Sequence, residues 1–298
     1  MKILFNGTSR ASRPKAASCC FGAMRAACAA CALIVAQAAP PSTTIDGAVI
    51  KRSLPATLRR VEARAVPLSL LRRQLALAHC TIELPPPCKV AMSPAQMYRL
   101  RRDSVFIMST LYKCGTCTDT HASVAAGFCI ATNGVLVTNY HVMNATNGSF
   151  IAAVSFDGMA YPVREVLAAD KDADIAIVRI EADTIAPIPL AAPADVGNVV
   201  CVISHPGEHF YLLTSGMVAG YYANCTHHRR RTPRMVITAD FAQGSSGGPV
   251  LDMCGEVVGM VASTQTLATG DDKDHERTQM VLKNCVPVES IRALISHP

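Results

Sequence analysis

The stretch Ala239–Val250, which reads ADFAQGSSGGPV, places one serine, Ser246, among three glycines. Gly244 precedes the serine by two positions, and Gly247 and Gly248 follow it directly. Glycine before a nucleophile lets the backbone turn an amide toward a developing oxyanion, and glycine after it leaves space for a substrate to approach. The stretch therefore predicts a nucleophilic serine, provided that the chain also supplies a base and an acid.

The base and the acid stand upstream in the chain. A serine hydroxyl is a poor nucleophile at neutral pH, so it needs a histidine to take its proton and an acid to orient that histidine. His141 follows one predicted strand, and Asp174 directly precedes another. Asp172 competes for the acidic role, but the apolar run that begins after Asp174 favours Asp174. We interpret His205, in the run Ser-His-Pro-Gly, as a loop residue rather than a second base.

Short apolar runs separated by turn signals extend from residue 104 almost to the C-terminus. Asn133-Gly134, Asn147-Gly148 and Asp157-Gly158 are typical of tight turns. The runs fall into two groups of six, with residues 191–197 between them. The predicted strands are Val105–Met108, Gly127–Ile130, Val135–Thr138, Phe150–Ser155, Tyr161–Leu167 and Ile175–Ile180, then Val199–Ile203, Tyr211–Ala219, Met235–Thr238, Pro249–Leu251, Glu256–Ala262 and Gln279–Val281. This pattern predicts an all-β fold, in which closing each group into a six-stranded antiparallel barrel removes exposed strand edges.

Helical signals lie at both ends of this β region. Ser93 followed by Pro94 and Gln96 predicts a short helix that runs to about Arg102. Residues 288–296 predict a closing C-terminal helix, and residues 68–79 have helical spacing. We expect residues 93–298 to form the main domain, with barrels at about 104–190 and 196–287. Residues 39–92 form an arm that we interpret as a propeptide, a docking arm or an extra packing layer.

The N-terminus is typical of a targeting segment. Residues 1–38 hold five basic residues and no acid, and an apolar run over 26–35 precedes the small-x-small pattern Ala36-Gln37-Ala38. We predict a signal peptide over residues 1–38 and a secreted or extracytoplasmic location, with a mitochondrial presequence as the alternative. The apolar run is shorter than the ~20 residues that span a bilayer, so we expect no transmembrane span in the mature chain.

The balance of charged residues and the spacing of the cysteines bear on nucleic-acid binding and on metal binding. Outside residues 1–38 the chain holds 23 basic and 22 acidic residues, so we expect no nucleic-acid partner. The basic run at residues 227–234 is interpreted as a solvated loop, with polyanion binding or self-cleavage as alternatives. Four of the thirteen cysteines, Cys80, Cys88, Cys114 and Cys117, would make a zinc site, but the first pair is too loosely spaced. We therefore favour disulfides or inert thiols and expect no metal.

Three motifs in one order carry a family resemblance. Thr138–Val142 (TNYHV), Asp174–Val178 (DIAIV) and Gly244–Val250 (GSSGGPV) resemble the motifs of trypsin-like serine peptidases, which have the chymotrypsin fold. Separations of 33 residues from His141 to Asp174 and 72 from Asp174 to Ser246 look most like the HtrA/Deg branch. The matches at Thr214–Val218 (TSGMV) and Gly255–Gly259 (GEVVG) point to the same branch. The resemblance covers roughly residues 104–290.

The resemblance implies a double β-barrel with the active site between the barrels. It implies His141 as general base, Asp174 as the carboxylate that orients it, and Ser246 as the nucleophile that forms an acyl-enzyme. The backbone amides of Gly244 and Ser246 would form the oxyanion hole. The implied substrate is a protein or peptide, and no metal or organic cofactor is implied.

The sequence departs from the family pattern at several points. HtrA-type chains usually carry a peptide-binding PDZ domain after the protease, and we expect none here because the sequence ends within ~10 residues of the last predicted strand. Digestive trypsins have Asp at the position of Ser245, where it pairs with a newly cut N-terminus, so we expect activity without that pair. They also bridge a cysteine like Cys129 to one at the position of Val142, so we expect a buried thiol at Cys129. Asp240 occupies the place where trypsins select Lys or Arg, but the HtrA branch often has a structural Asp nearby.

We therefore predict a serine endopeptidase. The alternative is a protease fold used for binding or chaperoning, with secondary or no catalysis. The sequence makes no prediction about oligomeric state, natural substrate or disulfide connectivity.

Overall fold

A computed structural model describes residues 44–146, 148–182, 184–225, 231–269 and 277–296. The signal peptide predicted over residues 1–38 lies outside this part of the chain. The helices are α1 Gly47–Glu62, α2 Leu68–Gln74, α3 Pro94–Arg101, α4 Tyr140–Met143 and α5 Val288–Arg292. The strands are β1 Cys80–Thr81, β2 Val105–Ser109, β3 Leu111–Lys113, β4 Thr120–Ala122, β5 Ala125–Ala131, β6 Val135–Thr138, β7 Ala152–Val154, β8 Ala160–Asp170, β9 Ile175–Ile180, β10 Val199–Ser204, β11 Leu212–Cys225, β12 Arg231–Ile237, β13 Pro249–Leu251, β14 Val257–Thr269, β15 Arg277–Pro287 and β16 Ile295–Ser296.

Twelve of these strands close into two antiparallel barrels. The first barrel has the strand order β2-β5-β6-β9-β8-β7, and the second has the order β10-β11-β12-β15-β14-β13. The predicted fold class, two six-stranded antiparallel barrels with a short N-terminal helix and a C-terminal helix, is confirmed. The hairpin β3–β4, which pairs Tyr112 with His121, was not predicted.

Strands of the first barrel are buried on both faces. Val105 and Ile107 of β2 contribute to one hydrophobic cluster, whereas Phe106 and Met108 contribute to another. Successive side chains of a strand point to opposite faces, so this barrel is covered on its outside as well as filled. This double burial explains why its strands are continuous apolar runs rather than alternating ones.

The segment before the barrels packs against them. Leu54, Leu58 and Val61 of α1 are buried in the same cluster as barrel strands. Leu68 and Leu71 of α2 are buried against the second cluster. Strand β1 pairs in parallel with β16 at the other end of the chain. Residues 44–92 therefore pack on the barrels, while the interpretation of this arm as a propeptide, a docking arm or an extra packing layer stays a prediction.

Two helices end earlier than the sequence predicted, and one helix was not predicted at all. Helix α3 begins at the predicted capping box of Ser93 and Gln96. The C-terminal helix ends at Arg292 instead of 296, because Ile295 and Ser296 leave the helix to pair with β1. The helical pattern over 68–79 ends at Gln74. Helix α1, which contains Pro55 and was not predicted, is capped by the Asp46 carboxylate, which accepts from the Val49 amide at 3.0 Å.

Part of the predicted basic loop is a strand. Residues 231–234 belong to β12 and pair with β11, while residues 226–230 lie outside the described residues. Across the part of the chain that the structure describes, no helix is both long and apolar enough to span a membrane.

Candidate active site

His141 and Asp174 meet at the ends of two neighbouring strands. His141 lies in the short helix α4, directly after β6, and Asp174 directly precedes β9, which pairs with β6. The His141 ring Nδ1 lies 2.9 Å from Asp174 Oδ2 and 3.0 Å from Oδ1, and the His141 backbone amide donates to Oδ1 at 3.0 Å. A carboxylate only accepts, so Nδ1 carries the proton and Nε2 keeps a free lone pair. An imidazole in this tautomer can accept a proton at Nε2.

Asp174 is held in an unusual backbone conformation. Its φ is +63°, in the left-handed region that non-glycine residues seldom occupy. The side-chain amide of Asn139 donates to the Asp174 carbonyl at 3.0 Å. Arg234, from β12 of the second barrel, donates to the carbonyls of Ala173 at 3.0 Å and Asp172 at 3.1 Å. Contacts from both barrels therefore fix the turn that presents this carboxylate.

Arg234 was missed by the sequence analysis, which placed it in the solvated basic run. Its guanidinium is half-buried, and this burial lowers its pKa, while the charges of Asp174 and Asp170 act in the opposite direction. The apolar residues Met235–Ile237 that follow it were the one signal that this arginine borders the buried part of a strand.

The Ser246 loop is pressed against the first barrel. The Ala126 amide of β5 donates to the Ser246 carbonyl at 2.7 Å. Gly247 has a φ of +87°, and a Cβ at this position would lie 2.0 Å from the Ala126 carbonyl oxygen. The expectation that this glycine leaves space for substrate is wrong, because the backbone of β5 fills the space beside Gly247. The glycine instead lets the nucleophile loop of one barrel touch the barrel that carries His141.

The Ser246 hydroxyl is turned toward β14. Its Oγ donates to the Ala262 carbonyl at 3.4 Å, and among the described residues no hydrogen bond joins it to His141. A bond of 3.4 Å is long for an O–H···O pair, so it opposes rotation of the side chain only weakly.

Two backbone N–H groups of the Ser246 loop have no hydrogen-bond acceptor among the described residues. The N–H groups of Gly244 and Ser246 make no hydrogen bond within the described part of the chain. The Gln243 carbonyl accepts from the Gly207 amide at 2.7 Å, and in a trans peptide the Gly244 N–H points the opposite way. Gly244 also lines a cleft of about 670 Å³, together with Gln243, Val124 and Gly207. The predicted oxyanion-hole residues therefore present unpaired donors, with Gly244 at the cleft.

Ser245 is buried and hydrogen-bonded within the second barrel. The Ser204 hydroxyl donates to Ser245 Oγ at 3.0 Å, and the Ala242 amide donates to it at 3.4 Å. Digestive trypsins use an ion pair at this place, whereas here a neutral hydroxyl pair fixes the loop.

His205 lies in the loop that follows β10, as predicted, but this part of the loop is buried. It is fully buried, its Nε2 donates to the Phe106 carbonyl at 3.2 Å, and its Nδ1 accepts from the Tyr211 amide at 3.0 Å. Burial lowers its pKa to about 4, so the ring is neutral near pH 7. It is a structural link between the barrels and has no lone pair left for a second base.

Asp240 forms an ion pair with a residue of β15. Lys283 Nζ lies 3.2 Å from Asp240 Oδ1 and donates to the Phe241 carbonyl at 2.6 Å. The Asp240 side chain is 85% exposed, whereas that of Lys283 is 15% exposed. The Asp240 carbonyl accepts from the Thr214 hydroxyl at 2.7 Å.

The cysteines do not form the four-sulfur zinc site that was considered. Cys80 lies at the β1–β16 pair, where its thiol contacts the Leu294 carbonyl, and Cys88 lies beside Glu256. Cys129 is a free thiol with no exposed surface, as expected, and burial raises its pKa to about 12. All eight cysteines whose side chains the structure describes are free.

Known proteins agree with this architecture. The family described as a trypsin-like peptidase domain matches residues 125–260. The chloroplastic Protease Do-like 1 of Arabidopsis thaliana is 33% identical over 142 residues, covering 45% of this chain and 32% of the relative. A probable periplasmic DegP-like serine endoprotease of Halomonas elongata is 30% identical over 156 residues, covering 50% of this chain and 31% of the relative. The chain thus spans about a third of the length of these relatives.

A solved structure supports the fold independently. The HtrA-type protease AlgW with a decapeptide superposes with a TM-score of 0.54 at 16% identity, covering 68% of this chain and 66% of that one. Identity at this level establishes the fold alone. Residues 125–260 match the trypsin-like peptidase family, and the chain is similar to serine proteases of the HtrA and DegP type.

Proposed function

We propose that the protein is an endopeptidase that hydrolyses peptide bonds through Ser246, His141 and Asp174. The observation that carries this proposal is the contact of the His141 ring with the Asp174 carboxylate, which leaves Nε2 free to accept a proton. The unpaired amides beside Ser246 support it further, because they supply donors for an oxyanion. The peptide in the AlgW structure supports a peptide or protein as substrate.

The reaction proceeds by acyl transfer. Ser246 Oγ attacks the scissile carbonyl carbon while its proton passes to His141 Nε2, and the new oxyanion accepts from the amides of Gly244 and Ser246. His141 then gives that proton to the amine that leaves. Water, deprotonated by His141, attacks the ester and releases the second product. Asp174 stays ionised throughout and stabilises the charged imidazole.

The Ser246 side chain must rotate before the first step. Its hydroxyl points to Ala262, and a turn about χ1 is needed to bring it to His141. Long or misaligned catalytic hydrogen bonds are common before substrate binds. We expect bound peptide to favour the rotated state.

A fluorophosphonate probe tests the proposal, because it labels only a serine that is activated as a nucleophile. We expect wild type to be labelled, Ser246→Ala not to be labelled, and His141→Ala to be labelled at a strongly reduced rate. Heat-denatured wild type is the control for nonspecific labelling, and circular dichroism checks that the variants fold. Folded wild type that takes no label, with or without added peptide, would exclude the peptidase.

The second candidate is a peptide-binding or chaperone-like protein with secondary or no catalysis. The orientation of the Ser246 hydroxyl, away from His141, is the observation that favours it. One comparison separates the two candidates. If the protein is a binding protein, wild type and Ser246→Ala should protect unfolded proteins from aggregation equally well, and the fluorophosphonate should label neither form.

We propose that Asp240 belongs to the substrate-binding region and acts through its ion pair with Lys283. The Asp240 carboxylate already pairs with Lys283, so it is not free to bind a basic side chain of a substrate. This pairing supports a structural role for Asp240. We expect a peptide library to show cleavage after small aliphatic residues in both wild type and Asp240→Ala. Cleavage after Lys or Arg that disappears in Asp240→Ala contradicts this role.

We also propose an extracytoplasmic location, supported by the basic and apolar residues 1–38 and by the periplasmic DegP-like relative. Residues 39–92 are proposed as an arm of the peptidase domain at 93–298. Export of a reporter fused after residue 38, lost when the apolar run 26–35 is made polar, tests the location. Retention of that reporter in the cytosol contradicts it.

A further inference from the structure

The hairpin β3–β4 places two thiols and an imidazole together. Cys114 Sγ lies 3.1 Å from Cys117 Sγ, and Cys117 Sγ lies 3.0 Å from His121 Nε2. The three donor atoms all lie within 4.8 Å of one another. In the part of the chain that the structure describes, no other group of three such side chains converges in this way.

The turn that carries the thiols is built to keep them close. Gly115 adopts a φ of +79° between them, in open space, so the chain reverses tightly. The Lys113 ammonium donates to the Thr118 carbonyl at 2.6 Å and closes the turn from outside. Strand pairing of Tyr112 with His121 then fixes the imidazole opposite the turn.

We propose that Cys114, Cys117 and His121 bind one Zn²⁺ ion, with the fourth position open to water. Thiolate and imidazole are the ligands that Zn²⁺ prefers, and sites with three protein ligands keep one position open. Two thiolates balance the charge of the ion. Cys114 and Cys117 are exposed and His121 is half-exposed, so the ion reaches the site from solvent.

The geometry needs only a small adjustment. Tetrahedral Zn–S bonds of about 2.3 Å put two sulfur atoms roughly 3.7–3.8 Å apart. The observed separation of 3.1 Å must therefore open by about 0.6 Å, a shift that exposed side chains on a turn can make by small rotations.

The hairpin that carries this cluster borders the cleft beside Gly244. Tyr112 and Ala122 of the hairpin line the same cleft as Gly244 and Gln243. The Tyr112 ring lies 5.6 Å from the His121 ring, centroid to centroid. Metal binding at His121 would therefore fix the position of a cleft side chain, without any part for the metal in peptide hydrolysis.

The experiment uses the full chain in the Ser246→Ala background, which removes self-cleavage and makes the result independent of the proposed function. The reduced protein is loaded with Zn²⁺, dialysed and analysed for metal per chain. Affinity is measured by competition with a chromophoric chelator, and Co²⁺ is used as a spectroscopic probe for thiolate coordination. Cys114→Ser, Cys117→Ser and His121→Ala test the ligands, while Cys254→Ser and His79→Ala are matched controls elsewhere in the chain.

We expect the parent protein to retain one more Zn²⁺ per chain than the Cys114→Ser/Cys117→Ser double variant. Loss of a supporting partner typically weakens metal binding 10–100-fold, so loss of a ligand is expected to weaken it by about 100-fold or more. The thiolate–cobalt charge-transfer band should vanish in the double variant and persist in both controls. Equal metal content in the parent and the double variant, or a parent that binds none when reduced, would overturn the proposal.

Discussion

Asp174 shows how one residue depends on contacts from the opposite barrel. Its left-handed backbone costs energy, which the surrounding structure must offset. Asn139 holds the carbonyl of Asp174 itself, and Arg234 holds the carbonyls of the two residues before it. The carboxylate is therefore aimed at His141 by groups that never touch the reacting atoms.

Arg234 should act as a positioning residue. With Arg234→Ala we expect kcat to fall about 10- to 100-fold, because displacement of a catalytic group by about 1 Å costs up to about 10²-fold. KM should change little, and Arg234→Lys should restore only part of the rate because one ammonium replaces the guanidinium fork. Peptide hydrolysis kinetics give both constants. Arg231→Ala, an exposed arginine on the same strand, is the control, and equal loss of rate in that variant would contradict the assignment.

The residues that could be predicted from the sequence are those whose own type and immediate neighbours indicate their role. Ser246, His141 and Asp174 each stand beside a strand signal, so their positions at strand ends were predictable. Arg234 was not, because its role depends on β12 crossing to the Asp174 turn, where it contacts residues 61 and 62 positions away. The pairing of Asp240 with Lys283 and the burial of His205 depend equally on long-range packing.

At the scale of elements, the segment before the barrels is the largest addition to the predicted fold. Helix α1 has Leu54, Leu58 and Val61 buried against barrel strands. Its sequence is rich in arginine and contains a proline, so its apolar face was not apparent before the partner strands were known. The hairpin β3–β4 was missed for a related reason, since only three residues in each strand pair.

Leu58 tests whether α1 is integral to the folded domain. Its side chain has no exposed surface, so Leu58→Ala should reduce the free energy of unfolding by about 2–5 kcal/mol through lost burial and a cavity. Val49, on the same helix, is 49% exposed, and Val49→Ala should change it by less than about 0.5 kcal/mol. Urea unfolding followed by circular dichroism measures both. Similar stability of Leu58→Ala and Val49→Ala would indicate a segment that can detach without cost, as a propeptide does.

At the scale of the molecule, the proposed active site requires the two barrels to keep one arrangement. His141 and Asp174 belong to the first barrel, and Ser246 lies in the loop before β13 of the second barrel. The barrels touch where Ala126 bonds Ser246, where Arg234 bonds the Asp174 turn, and where His205 bonds Phe106. Two of these three contacts involve Ser246 or the Asp174 turn. A distortion of the interface is therefore expected to lower the rate of peptide hydrolysis before it lowers the stability of the fold.

His205 should make this interface sensitive to acid. Its pKa is lowered to about 4 in the folded protein, against about 6.5 in an unfolded chain, so the unfolded state binds a proton first as the pH falls. Stability should be full above about pH 6.5 and fall progressively toward pH 4, by about 3 kcal/mol in total from this group. The other titratable group in ring contact with it is Tyr211, whose pKa burial raises far above this range, so it stays neutral.

Chemical unfolding at pH values between 4 and 7 measures the effect. His205→Gln cannot gain the proton, so its stability, although lower at pH 7, should lose this component of the pH dependence, whereas the exposed-site variant His79→Gln should keep the slope of wild type. Parallel stability curves for wild type and His205→Gln would show that the acid sensitivity comes from other groups.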